Sequence, residues 1–123
     1  MSGADATFLY FETPSTHMHV LGTIVVDTGG CPGWSADDVI ATFEQRLDLL
    51  EPFRRKLVGA TLRLHHPVWM DDPDVDVAAH VSRVHCPQPG TMKELAREVA
   101  AFASRQLDRN RPLWECLVVE GMA

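Results

Sequence analysis

The sequence predicts a mixed α/β fold, and three observations carry that reading. Two stretches rich in β-branched residues, HMHVLGTIVVD at 17–27 and LWECLVVE at 113–120, have the composition of strands. Two other stretches, 36–50 and 92–102, repeat apolar residues at helical spacing and begin with capping residues. Strand-like and helix-like segments also alternate, in the order β-α-β-β-β-α-β, without internal repeats or low-complexity tracts.

The first segment, 6–11, holds Phe8, Leu9, Tyr10 and Phe11 and is expected to dock on the core as a short helical turn. A turn around Pro14 follows at 12–16, then the strand predicted over 17–27, closed by Asp27-Thr28-Gly29-Gly30. Ser35 reads as an N-cap, and Asp37 and Asp38 lie in the first turn, where the helix dipole favours carboxylates. Val39, Ile40, Phe43, Leu47 and Leu50 then form the apolar stripe of a helix over 36–50, with Pro52 just past its end. Residues 53–56 form a basic turn. Two short strands, 57–64 and 67–70, suit a hairpin through His65-His66, followed by an acidic loop at 71–76.

Another strand is predicted over 80–86, ended by Pro87-Gln88-Pro89-Gly90. Thr91 and Glu94 have the spacing of a capping box, and Met92, Leu95, Val99 and Phe102 make the buried stripe of the helix it starts. Residues 107–111 return the chain to the last strand, with Pro112 just ahead of it because proline cannot donate to a ladder.

Composition narrows the function classes. A chain of 123 residues with 46% hydrophobic content can bury one core, and one domain is the expectation. A net charge of -6 argues against a nucleic-acid module and leaves a lipid substrate open. Cys31, Cys86 and Cys116 are odd in number and far apart, as expected of reduced thiols in a cytosolic protein. The N-terminus lacks the basic and apolar regions of a signal peptide, and no apolar run has the length of a bilayer span. The expected location is cytoplasmic, with contact at a membrane or lipid surface left open.

The conspicuous polar residues favour structural roles. Neighbours on a strand point to opposite faces, so His65 and His66 fit a hairpin turn beside Asp71 and Asp72 better than a shared site. His17 and His19 would share a strand face, but no third residue completes a metal site, and none is expected. Arg54, Arg55 and Lys56 read as a solvated cationic face near a helix end, and Trp34, Trp69 and Trp114 as packing residues. No P-loop, G-x-S-x-G or G-x-G-x-x-G pattern is present.

Several blocks, taken in order, resemble the N-terminal region of the bacterial wax ester synthase/diacylglycerol acyltransferase family. They are Asp5-Ala6-x-Phe8-Leu9-Tyr10-x-Glu12 with His17-Met18-His19-Val20, then Phe53-Arg54-Arg55-Lys56-Leu57 and His66-Pro67-Val68-Trp69-x-Asp71-Asp72-Pro73. His80-Val81 and Leu107-Asp108-Arg109-x-Arg111-Pro112-Leu113-Trp114-Glu115 complete the series. The resemblance implies a chloramphenicol-acetyltransferase-like architecture of two related lobes, with residues 1–123 as an incomplete N-terminal lobe. It implies transfer of a fatty acyl group from acyl-CoA, a co-substrate, to diacylglycerol or a long-chain alcohol, with no other cofactor.

The family's catalytic signature is His-His-x-x-x-Asp-Gly, whose second histidine acts as general base. These residues do not contain it, since Asp71 lies one position too far from His65-His66 and Asp72 follows it in place of glycine. No catalytic residue is therefore assigned, and the fragment is expected to be inactive alone. Pro112, Leu113 and Trp114 match a family motif, with packing as the expected role and lining of a substrate channel as the second. The alternatives are a non-catalytic lipid- or partner-binding fragment and a condensation-type domain. Self-association or pairing with a complementary C-terminal lobe is expected where the last strand is left open.

Overall fold

A computed structural model describes residues 3–59 and 66–123. It contains helix α1 (Gly3–Phe11), helix α2 (Ala36–Arg46), strand β1 (Arg55–Val58), strand β2 (Val68–Asp71), helix α3 (Val77–His80), strand β3 (Val81–His85), helix α4 (Met92–Ala103) and strand β4 (Cys116–Glu120). The chain divides into two compact units. One takes the described residues of 1–20, 47–75 and 106–114, and the other takes 21–46, 76–105 and 115–123. The mixed α/β class stands.

In the first unit β1 and β2 pair antiparallel, with Arg55 opposite Asp71 and Val58 opposite Val68. The expected hairpin arms are present, but the first begins two residues early and follows a short 3-10 turn over Glu51–Arg54. The remainder of the predicted strand, 60–64, and His65 lie outside the described residues. The turn around Pro14 is closed by reciprocal backbone hydrogen bonds between Thr13 and Thr16 of 2.9 and 3.2 Å. Helix α1 is longer than a single turn, and its packing differs from the expectation. Ala6 is buried, while Phe8, Tyr10 and Phe11 stay exposed. Phe8 and Phe11, three residues apart, share the helix face roughly opposite Ala6, so burying Ala6 turns both rings to solvent.

In the second unit β3 and β4 run parallel, from Val81 opposite Cys116 to His85 opposite Glu120. Parallel neighbours need a long crossover, and α4 lies within it and packs on β4. The α4 start follows the sequence closely. The Thr91 side chain accepts from the Lys93 N–H at 3.3 Å, and Glu94 accepts from the Thr91 N–H at 3.1 Å. The hydrogen bond from the Thr91 hydroxyl holds the Glu94 carboxyl below the ordinary carboxylate range, against a smaller upward push from desolvation. Leu95 is buried and Val99 and Phe102 half-buried, but Met92, placed in the stripe from sequence, is exposed at the first helical position.

Helix α2 is capped by Ser35, whose hydroxyl accepts from the Asp37 N–H at 3.2 Å, while Asp38 accepts from the Ser35 N–H at 2.8 Å. The helix gives way to a 3-10 turn at Leu47–Leu49 rather than running to residue 50. Its expected stripe is the half-buried side, and Ala36 is fully buried. The one-turn helix α3 was not expected, because four residues, VAAH, carry no periodicity to read. Asp76 caps it, accepting from the Ala79 N–H at 3.3 Å.

The strand expected over 17–27 is the main correction. These residues are assigned to no strand, and among the described residues no strand pairs with them. Propensity supplies a tendency toward extended backbone, but a strand exists only through a ladder with a neighbour.

Candidate functional site

Apart from His80-Val81 and Glu115, which belong to the second unit, the blocks singled out in the sequence meet in the first unit, and they are tied to one another by side chains. The 106–114 stretch is the hub. Arg109 donates to the Leu9 carbonyl at 2.9 Å and to the Glu12 carboxylate at 2.6 Å, and Gln106 donates to the Thr13 carbonyl at 3.3 Å. Asp108 folds the turn that presents Arg109, accepting from the Asn110 N–H at 2.9 Å and side-chain amide at 2.8 Å. These bonds to its charged form lower the Asp108 pKa, the backbone one contributing most.

Partial burial pushes the Glu12 carboxyl upward, but the Arg109 hydrogen bond, the Met18 N–H and the Arg109 and His17 charges together hold it below the ordinary range. Sequence reasoning placed Arg109 and Glu12 inside family-like blocks without assigning either a role. Two opposite charges 97 positions apart give no local signal of pairing.

Pro112 and Trp114 are buried and Leu113 is half-buried. The Trp114 indole N–H donates to the Phe53 carbonyl at 3.0 Å, and the two rings lie 4.9 Å apart at 47°. The bond satisfies an indole donor that would otherwise be costly to bury. Trp69 is half-buried, whereas Trp34 is exposed and does not pack as expected.

The basic cluster is largely neutralised. Arg55 pairs with Glu51 and, at 3.2 Å, with Asp71, and Lys56 pairs with Asp72 at 3.1 Å. The Asp72 N–H also donates to the Arg54 carbonyl at 2.7 Å, which seats the acidic loop against β1.

Among the described residues, the histidines singled out in the sequence are not gathered into one site. His66 is exposed and hydrogen-bonded through Nδ1 to the Tyr10 hydroxyl at 2.9 Å, and its neighbour His65 lies outside the described residues. The His17 and His19 rings stack 5.5 Å apart at 11°, an arrangement that fits packing. Among the described residues no group of three His, Cys, Asp or Glu side chains could hold a metal ion. None of the described helices is long and apolar enough to cross a membrane.

In the second unit, Glu98, Ala101, Phe102, Arg105 and Leu117 line a shallow open recess of about 210 Å³. The Arg105 guanidinium sits 5.2 Å from the Phe102 ring centre and 3.4 Å from the Glu115 carboxylate. Cys116 is half-buried, and burial pushes its thiol pKa up, which makes it a poor nucleophile. All three cysteines are free.

The first unit is therefore a packed scaffold in which separate sequence blocks fix one another. The family described as Wax ester synthase/diacylglycerol acyltransferase catalytic domain has a model that matches residues 1–123. The chain belongs to that acyltransferase family.

A relative from Mycobacterium tuberculosis strain H37Rv, provisionally named a diacylglycerol O-acyltransferase, is 43% identical over 123 residues. That match takes 99% of this chain and 26% of the relative. Another from the same strain, also provisionally named a diacylglycerol O-acyltransferase, is 38% identical, with 99% of this chain matching 45% of the relative. The solved wax ester synthase/diacylglycerol acyltransferase from Marinobacter aquaeolei VT8 superposes with a TM-score of 0.70 at 26% identity, covering 98% of this chain and 29% of that one. The chain thus spans between about a quarter and a half of the length of these acyltransferase-family proteins.

Proposed function

We propose that these residues form the N-terminal part of an O-acyltransferase that moves a fatty acyl group from acyl-CoA to diacylglycerol or a long-chain alcohol. The reaction needs a base to take the acceptor hydroxyl proton as oxygen attacks the thioester carbonyl carbon. The carbon–sulfur bond then breaks, and the CoA thiolate recovers a proton. A histidine suits that base, because it titrates near neutrality.

The observation that carries the reading is the interlocking of the family-like blocks around Arg109 and Trp114, in a chain whose family match runs over residues 1–123. In this reading Pro112 and Trp114 hold a scaffold, and the base comes from polypeptide beyond these residues. The 123 residues alone are inactive. Because the proposed acceptors are lipids, the reading places the working enzyme in peripheral contact with a lipid surface.

The test joins this chain to the rest of the 43%-identical relative, in place of that protein's own matching region. Acyl-CoA-dependent formation of triacylglycerol or wax ester is then followed. The chimera should transfer the acyl group while the isolated chain releases CoA no faster than buffer. Transfer by the isolated chain, or a folded chimera without transfer, would contradict the proposal.

A further inference from the structure

Tyr10 is the single tyrosine of the chain, and it is 60% exposed. Its hydroxyl lies 2.9 Å from His66 Nδ1, and the two rings are 5.7 Å apart, tilted at 45°. In the tautomer that carries its proton on Nε2, His66 accepts the phenolic hydrogen at Nδ1. Both residues belong to the first unit, and each is set by a held element. Tyr10 stands in α1, where Arg109 holds the carbonyl of the preceding residue, Leu9, at 2.9 Å. His66 stands two residues ahead of β2, which is laddered to β1. Burial does not call for this bond, because a phenol so exposed can give its hydrogen to water instead.

A nucleophile within hydrogen-bond reach of a base is the arrangement used in covalent catalysis, and tyrosine is among the side chains that accept groups in this way. A neutral phenol is a weak nucleophile until a base takes its proton. We propose that Tyr10 and His66 form a base-assisted acceptor site at which the Tyr10 hydroxyl is acylated by small acyl phosphates. Tyr10 Oη forms a bond to the carbonyl carbon while its proton passes to His66 Nδ1. The bond from that carbon to the phosphate oxygen breaks, and the leaving phosphate takes the proton back from His66. The products are an O-acyltyrosine and inorganic phosphate, with nothing oxidised or reduced. An acyl phosphate suits the site because phosphate is a weaker base than phenolate, so the transfer runs downhill. A small donor also reaches the exposed hydroxyl without an enclosing pocket. The step occurs once per chain and involves no CoA, so it is separate from the lipid acylation proposed above.

The test incubates the folded chain with acetyl phosphate near neutral pH and maps the modified residues by mass spectrometry. Tyr10 should gain an acetyl group that hydroxylamine removes, at least about tenfold faster than N-acetyltyrosine amide in the same buffer. His66→Phe keeps a ring beside Tyr10 without a base, and His66→Gln keeps an acceptor that cannot take the proton. Both should bring the rate down to that of the free derivative, with folding checked by circular dichroism.

A hydrogen bond that only tethers α1 to the residues before β2 would give the opposite sign, because removing it frees the hydroxyl. A rate in either folded variant equal to or above that of the wild type would therefore overturn the inference. So would a wild-type Tyr10 that reacts no faster than the free derivative, or one that gains a phosphoryl group in place of acetyl. Should a variant fail to fold, the comparison of the wild type with the free derivative still decides.

Discussion

Two apolar runs of nearly the same character lie in one unit, LGTIVV at 21–26 and CLVVE in β4. Strand β4 pairs with β3 along its length, carries α4 on one face, and holds Val118 at 8% exposure. The other run has no ladder and keeps most of its side chains in water. Their difference is one of partners. β4 has a matching strand some 30 positions upstream and a crossover helix to bring it there, and 21–26 has neither among the described residues. β-propensity describes what a pleated, covered surface will accept and does not by itself create that surface.

Substitutions should separate the two runs sharply. Val118→Asp places an uncompensated charge in the half of the core built by β4 and should cost about 3–5 kcal/mol in urea unfolding, if the protein still folds. Val25→Asp in the isolated chain should stay within about 0.5 kcal/mol, as for other exposed positions. Equal losses would mean that 21–26 is packed after all.

The glycines give a second contrast. Gly121, just past β4, has φ +77°, and a Cβ there would run into the His85 ring. Gly22 has open space around the same position. Gly121→Ala should therefore destabilise by more than about 1 kcal/mol, whereas Gly22→Ala should be neutral or stabilise by up to about 1 kcal/mol through the unfolded chain. Thermal unfolding of the two variants decides this.

A smaller effect belongs to the helix that covers β4. Thr91→Ala removes the α4 cap and should cost about 1 kcal/mol, with a matching rise in exchange in the first turn of the helix. The other unit offers a pH test. The folded-state pKa of Glu12 lies below its unfolded value, so its contribution is present above the ordinary carboxylate range and is lost as pH falls through the lowered value. Below about pH 4, Glu12→Gln should thus narrow the difference from wild type, and the acid limb of the stability curve should flatten.

Much of the fold was legible where a local rule was sufficient. Ser35 and Thr91 marked helix starts because a cap and its partner lie within three residues. The hairpin arms and the β3 and β4 strands were recognisable from their branched residues and the turns that bound them. What failed depended on distant neighbours: whether 17–27 finds a ladder, whether the α1 aromatics find a core, and whether Met92 faces inward.

The same division holds for the candidate site. The Pro112-Leu113-Trp114 block was recognisable as a motif, but its bond to Phe53 was not, and the Arg109–Glu12 pair joins chain ends that only the fold brings together.

Hydrogen exchange on the isolated chain, at a dilution that keeps it monomeric, tests the central contrast most directly. The account predicts slow amides across residues 116–120 and amides in 21–26 that exchange nearly as fast as an unstructured peptide. Comparable protection of both runs in the monomer would contradict it, because 21–26 would then have a partner within these 123 residues.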